Sequence, residues 1–198
     1  IYDPSGYVYE ALGAQRLEGV TATVLSGPSP DGPWTAWDAG AFGQTNPQST
    51  TAAGTYGWDV PQGWWMVRYE KAGYRTAHSE PLQVLPEHYG VEVDLHRLAA
   101  PALSEVLVTD QGAVEVVFDQ WMRSDSVREL LSVRAGTQAV PGTVTAVGEE
   151  RSPADLGLAR AFRFTPAAPF GSGQVLTVTV PGAVVDHGGV ALGTDTVR

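Results

Sequence analysis

Gly54-Thr55-Tyr56-Gly57-Trp58-Asp59-Val60-Pro61-Gln62-Gly63-Trp64-Trp65-Met66-Val67-Arg68-Tyr69-Glu70 is the stretch from which the fold is read. On either side of Pro61-Gln62-Gly63, bulky residues recur at every second position: Tyr56, Trp58 and Val60 before it, Trp65, Val67 and Tyr69 after it. A period of two belongs to a strand with one buried face; a helix would repeat every three or four residues. Pro-x-Gly is turn chemistry, since proline fixes φ and glycine tolerates the conformations that other residues avoid. The spacing predicts a hairpin with Trp58 and Trp65 in the core, and Trp64 on the opposite face of its strand.

The same alternation extends in both directions. Upstream lie Tyr7-Val8-Tyr9-Glu10 and Val20-Thr21-Ala22-Thr23-Val24-Leu25; downstream come Leu82 and Val84, then Val91, Val93 and Leu95. At Leu98-Ala99-Ala100-Pro101 the pattern stops and restarts. The second half carries Val106 and Val108, then Val114, Val116 and Phe118, then Leu131 and Val133. Val144 and Val147, Phe162 and Phe164, and Val175 to Val180 complete it, with turns signalled at Asp110-Gln111-Gly112, Ala135-Gly136, Pro141-Gly142 and Asp186 to Gly189. Ser124 to Leu131 has room for a single helical turn capped by Ser124 or Asp125. The 23 glycines and 14 prolines are spread along all 198 residues, as many short elements require. The expectation is an all-β chain of two tandem β-sandwich domains, 1–98 and 99–198.

Charge and composition remove several classes of function. A net charge of −10 is the wrong sign for holding phosphates or anionic lipid. With no cysteine, thiol catalysis, thiolate metal sites and redox switching fall away. No run approaches the roughly 20 apolar residues of a membrane-spanning helix. The chain starts at Ile1 rather than Met and reads as a piece of a longer polypeptide. Eleven of its twelve basic residues are arginine and only Lys71 is lysine, a bias of high-GC genomes.

Two groups of motifs carry family likenesses. In the first half they are Asp3-Pro4-Ser5-Gly6-Tyr7-Val8, then Leu17-Glu18-Gly19-Val20-Thr21-Ala22-Thr23-Val24, then Thr50-Thr51-Ala52-Ala53-Gly54-Thr55-Tyr56-Gly57-Trp58-Asp59-Val60-Pro61-Gln62-Gly63. The last continues into a strand ending in Gly73-Tyr74. In this order they resemble the carboxypeptidase regulatory-like, or transthyretin-like, β-sandwiches, with a long insertion over 26–49 where that family has a short connection. In the second half Val114-Glu115-Val116-Val117-Phe118-Asp119-Gln120-Trp121-Met122, Phe162-Arg163-Phe164-Thr165-Pro166 and Val185-Asp186-His187-Gly188-Gly189 resemble bacterial Ig-like domains of S-layer and other surface proteins. Both families serve mostly as spacers, stalks or accessory modules. The resemblance therefore implies a non-catalytic structural or adhesive spacer, secreted or on a bacterial cell surface. Its partners would be neighbouring domains of the same polypeptide and an extracellular or cell-wall glycan or protein.

No residue pattern recommends catalysis. His78, His88, His96 and His187 show no zinc spacing, no Gly-x-Ser-x-Gly elbow occurs, and the aspartates form no calcium-type loop. The expectation is no catalytic residue, no metal and no cofactor. Only the aromatics suggest a site. Trp34 and Trp37 lie inside the 26–49 insertion, Asp38, Gln44 and Asn46 follow them, and Trp64 points away from the core. Exposed rings beside carboxylates and amides suit carbohydrate, because a pyranose face stacks on an aromatic plane while its hydroxyls find polar partners. The other reading is that the loop folds back and buries Trp34 and Trp37 as a small core of its own.

Overall fold

Tyr56, Trp58, Trp65, Val67 and Tyr69 are all buried, so the alternation does mark the core faces of that stretch. The computed structural model describes residues 3–198 and shows an all-β chain with one short α-helix. It divides into two compact units, Ile1–Leu98 and Ala99–Arg198.

In the first unit the strands are β1 (Ser5–Glu10), β2 (Leu12–Arg16), β3 (Thr21–Gly27), β4 (Thr35–Ala36), β5 (Gln48–Ser49), β6 (Thr55–Gly57), β7 (Gly63–Glu70), β8 (Ala77–His78), β9 (Leu82–Val84) and β10 (Val93–Asp94). They form two sheets: β10-β1-β2 with β6 also on β1, and β4-β3-β7-β8 with β5 on β3 and β9 on β7. One apolar cluster collects side chains from both: Val8, Tyr56 and Trp58 from the first side, Val24, Trp65, Val67, Tyr69 and Leu82 from the second. The phenols of Tyr56 and Tyr69 meet in it at 2.6 Å. Two sheets over a shared core fit a β-sandwich.

The Tyr56–Tyr69 stretch is not a hairpin. β6 pairs antiparallel with β1 (Gly6 opposite Tyr56), whereas β7 pairs with β3, β8 and β9 in the other sheet. Pro61-Gln62-Gly63 carries the chain from one sheet to the other, so the two apolar faces meet across the core instead of lying side by side. Both arrangements bury the same residues, which is why alternation alone could not separate them.

The first and last strands of this unit run parallel, with Val8 opposite Val93 and Tyr9 opposite Asp94. Around that pairing, Ser5 N donates to His88 O at 3.3 Å, Val91 N to Ser5 O at 3.0 Å and Leu95 N to Tyr9 O at 2.9 Å.

The second unit contains β11 (Leu103–Val108), β12 (Val114–Arg123), α1 (Ser124–Leu130), β13 (Ser132–Ala135), β14 (Gln138–Ala139), β15 (Gly142–Val147), β16 (Glu150–Arg151), β17 (Gly157–Pro166), β18 (Leu176–Val180) and β19 (Thr196–Val197). Its sheets are β11-β12-β17-β15, with β16 on β17, and β14-β13-β18-β19. Phe118 and Phe162, 6.0 Å apart and edge to face, sit in a cluster with Val116, Met122, Val127, Val133 and Val178. The helix begins where the sequence placed it, but its cap is Arg123 and no side chain caps it. Asp125 falls in the first turn, where its Oδ1 accepts from Ser126 N at 2.7 Å.

Candidate binding surface

The 26–49 insertion is an ordered flap built on β3. Its chain leaves β3, returns as β4 beside Leu25 and Ser26, makes a short 3-10 turn at Ala39–Phe42, and comes back as β5 beside Thr21 and Ala22. Between β4 and β5 the flap lifts off the sheet, and a side chain fills the gap. Asn46 Oδ1 accepts from Val24 N at 2.9 Å while its Nδ2 donates to Val24 O at 2.8 Å and to Trp37 O at 3.0 Å. The amide thus stands in for a strand residue opposite the buried Val24.

Two more amides do the same on the free edge of β6 and the residues after it. Gln48 Nε2 donates to Gly57 O at 2.7 Å and its Oε1 accepts from Gly57 N at 3.1 Å. Two residues along, Gln44 Nε2 donates to Asp59 O at 2.7 Å and its Oε1 accepts from Asp59 N at 2.8 Å. Trp58, between them, turns its backbone to the chain before β1: Trp58 N donates to Pro4 O at 3.1 Å, and its indole Nε1 reaches Thr45 O at 2.8 Å. The alternation of backbone direction along an extended chain leaves Gly57 and Asp59 facing the flap, and the flap supplies an amide to each. Of the residues suggested as sugar partners, Gln44 and Asn46 therefore hold the flap to both sheets.

The aromatics separate into two groups. Trp37 packs inward against the core, with its ring 5.3 Å from Trp65 and 5.0 Å from Phe42. Trp34 does not join it. Trp34 is half-buried, and a Cβ on Gly27 would lie 2.9 Å from Trp34 Cε3, while a Cβ on Gly32 would lie 2.9 Å from Trp34 Cδ1. Two glycines therefore seat this ring, and Gly32 is in addition at φ +80°, which favours glycine. Trp64 stands directly opposite Gly27 across β3 and β7, and it too is half-buried. Residues opposite one another on antiparallel strands share a face, so Trp34 and Trp64 belong to the outer face of the sheet and Trp65 and Trp37 to the inner. Asp38 is exposed, at the start of the 3-10 turn.

Sequence reasoning did not include the floor of this outer face. Leu25 stands opposite Met66, next along from the Gly27–Trp64 pair. Leu25 is 6% exposed even though it alternates with the core residue Val24. Gln83, opposite Trp64 on the far side, is exposed. The signal was present: Trp64 and Met66 alternate as regularly as Trp65 and Val67 do.

Elsewhere two clusters of charged groups are tied up in ion pairs. A cleft of about 270 Å³ in the second unit is lined by Arg123, Arg128, Arg151, Glu149 and Asp155. There Arg128 binds Glu149 at 2.8 Å and Arg151 binds Asp155 at 3.3 Å. The Arg128 guanidinium, helped by Ser124, holds the Glu149 carboxyl below the usual carboxylate range. In the first unit Arg97 and Tyr74 both bind the buried Glu10, at 2.7 and 2.5 Å, and burial first, then that bond, pushes the Tyr74 phenol up to about 12. No helix among the described residues is long and apolar enough to cross a membrane. No protein-family model matches the chain, and no curated protein matches it in sequence.

Proposed function

We propose that this chain is a non-catalytic, tension-bearing spacer in a larger extracellular or cell-surface bacterial protein, a transthyretin-like sandwich followed by an Ig-like one. The observation that carries this reading is the parallel pairing of β1 with β10. Tension applied through the chain enters the first unit ahead of β1 and leaves it after β10. Parallel strands pulled from opposite ends slide past one another, so their bonds, with those of Ser5, Val91 and Leu95, are strained together and not opened one at a time. Such a unit resists pulling kinetically, which is what forced extension measures. The flap amides add support by closing the exposed edge after β6. The families that the motifs resemble serve mostly as spacers, stalks or accessory modules.

In the second unit β11 and β19 lie in different sheets, and β19 is a short antiparallel edge strand, held to β18 through Thr196 and Val197 and by two bonds between Arg198 and Val178, so its bonds open in turn from the Arg198 end. Single-molecule pulling from the two ends therefore yields two unfolding steps, the second unit at the lower force and the first at the higher. Val91→Pro, which removes the donor to Ser5 O, lowers the higher step alone. If the first unit yields at the lower force, or the chain extends without resolved steps, the spacer reading fails.

A further inference from the structure

A sandwich sheet normally turns apolar residues to the core and polar residues to water. The β4-β3-β7 sheet departs from this on its outer face. Along β7, Trp64, Met66, Arg68 and Glu70 alternate with the core residues, and the end level with β4 is apolar. Trp34 lies over Gly27 on one side, Trp64 flanks Gly27 on the other, and Leu25 and Met66 form the next row. Arg68, paired with Glu70 at 3.0 Å, and exposed Gln83 border the strip with hydrogen-bonding groups.

We propose that this strip binds an uncharged polysaccharide, its sugar rings stacked on Trp34 and Trp64 and its hydroxyls bonded by Gln83 and Arg68. The strip's accessible apolar surface is two indoles and part of Met66, with Leu25 nearly covered, so the face offers stacking planes. A protein partner's anchor side chain would want a desolvated pocket instead. Weakly polarised sugar C–H groups lie well on the electron-rich face of a ring. Trp34 comes from the chain just before β4 and Trp64 from β7, so the two indoles reach the outer face from opposite sides of β3. Together they offer one extended sugar chain two stacking planes. Trp34 is seated by glycines at 27 and 32, so its order is built in before any ligand arrives. A protein of net charge −10 repels acidic glycans, which leaves the neutral ones.

The test is retention of the full chain on microcrystalline cellulose and on chitin. Retention on at least one is expected, with Trp34→Ala and Trp64→Ala each lowering it about fivefold to tenfold. Trp64→Phe keeps a stacking plane and stays near the parent. Phe42→Ala, an exposed ring packed on Trp37 and outside this strip, changes nothing. Circular dichroism of each variant separates lost binding from lost fold, and Trp64→Ala, on the outer face, is the safer of the two. No retention on either matrix overturns the proposal, as does equal retention by both alanine variants. Self-association of the parent that Trp64→Ala abolishes, without polysaccharide retention, assigns the strip to a second copy of the chain and equally overturns it.

Discussion

Asn46→Ala is the sharpest test of how the flap is held. The side chain makes three hydrogen bonds, two of them to Val24, which is fully buried. Removing it leaves the buried Val24 N–H without its acceptor, at a cost of about 1–3 kcal/mol. The two carbonyls lose less. Val24 O still accepts from Trp37 N at 3.2 Å, and Trp37 O still accepts from Ala39 N at 3.0 Å. The lost donations add up to about 1 kcal/mol together, so the total comes to about 2–4 kcal/mol. Gln44→Ala is the internal comparison. It also breaks two bonds, but Asp59 is exposed and water replaces them, so the loss stays below about 1 kcal/mol. The assay is chemical denaturation followed by tryptophan fluorescence, which reports mainly on the first unit because five of the six tryptophans lie before residue 66. A loss below about 0.5 kcal/mol for Asn46→Ala, or one no larger than that of Gln44→Ala, would refute the claim that this amide substitutes for a strand residue.

Trp65→Ala removes a ring that is 4% exposed, packs on Trp37 and donates from Nε1 to Pro61 O at 2.9 Å. It should cost about 3–5 kcal/mol in the same denaturation assay, and less than about 1 kcal/mol would mean the strand faces are reversed. Alkali should unfold the first unit. Burial raises the Tyr56 and Tyr69 phenols well above their ordinary value of 10, and the two share a hydrogen bond. Because the folded values are raised, their contribution is complete below pH 10 and is lost as pH climbs past it. The slope is about 1.4 kcal/mol per pH unit for each phenol. Denaturation midpoints measured from pH 9 to 11 should show this fall, and Tyr69→Phe should make it shallower, the remainder coming from Tyr56 and from Tyr9 and Tyr74, which burial above all raises to about 12.

The all-β class and the buried face of each strong strand were legible because a period of two has only one structural meaning over such lengths. Sheet membership was not. Alternation around Pro61-Gln62-Gly63 says which side of each strand is buried but not which strand lies beside it, and β6 and β7 turned out to face one another. β2 was missed because Leu12 is its only buried residue, so it carries no alternation to read. The flap was hardest. Gln44, Asn46 and Gln48 look like surface amides in a polar loop, and nothing local reveals that each faces the backbone of a residue between 9 and 22 positions away. Trp34 and Trp37, three residues apart in one loop, look equivalent in sequence. What sends one outward and the other inward is the glycine at 27, which leaves space on the outer face of β3 that Trp34 fills. Trp64 was placed correctly on the outer side of its strand, since that follows from the period alone.

Each unit carries a core of its own, built around Trp58, Trp65 and Tyr69 in one and around Phe118 and Phe162 in the other. This is tested most directly by the amide NMR spectra of residues 1–98 and 99–198, produced separately. The expected result is that each half alone gives the dispersed spectrum of a folded domain. Collapse of either half to the narrow dispersion of an unfolded chain would contradict it.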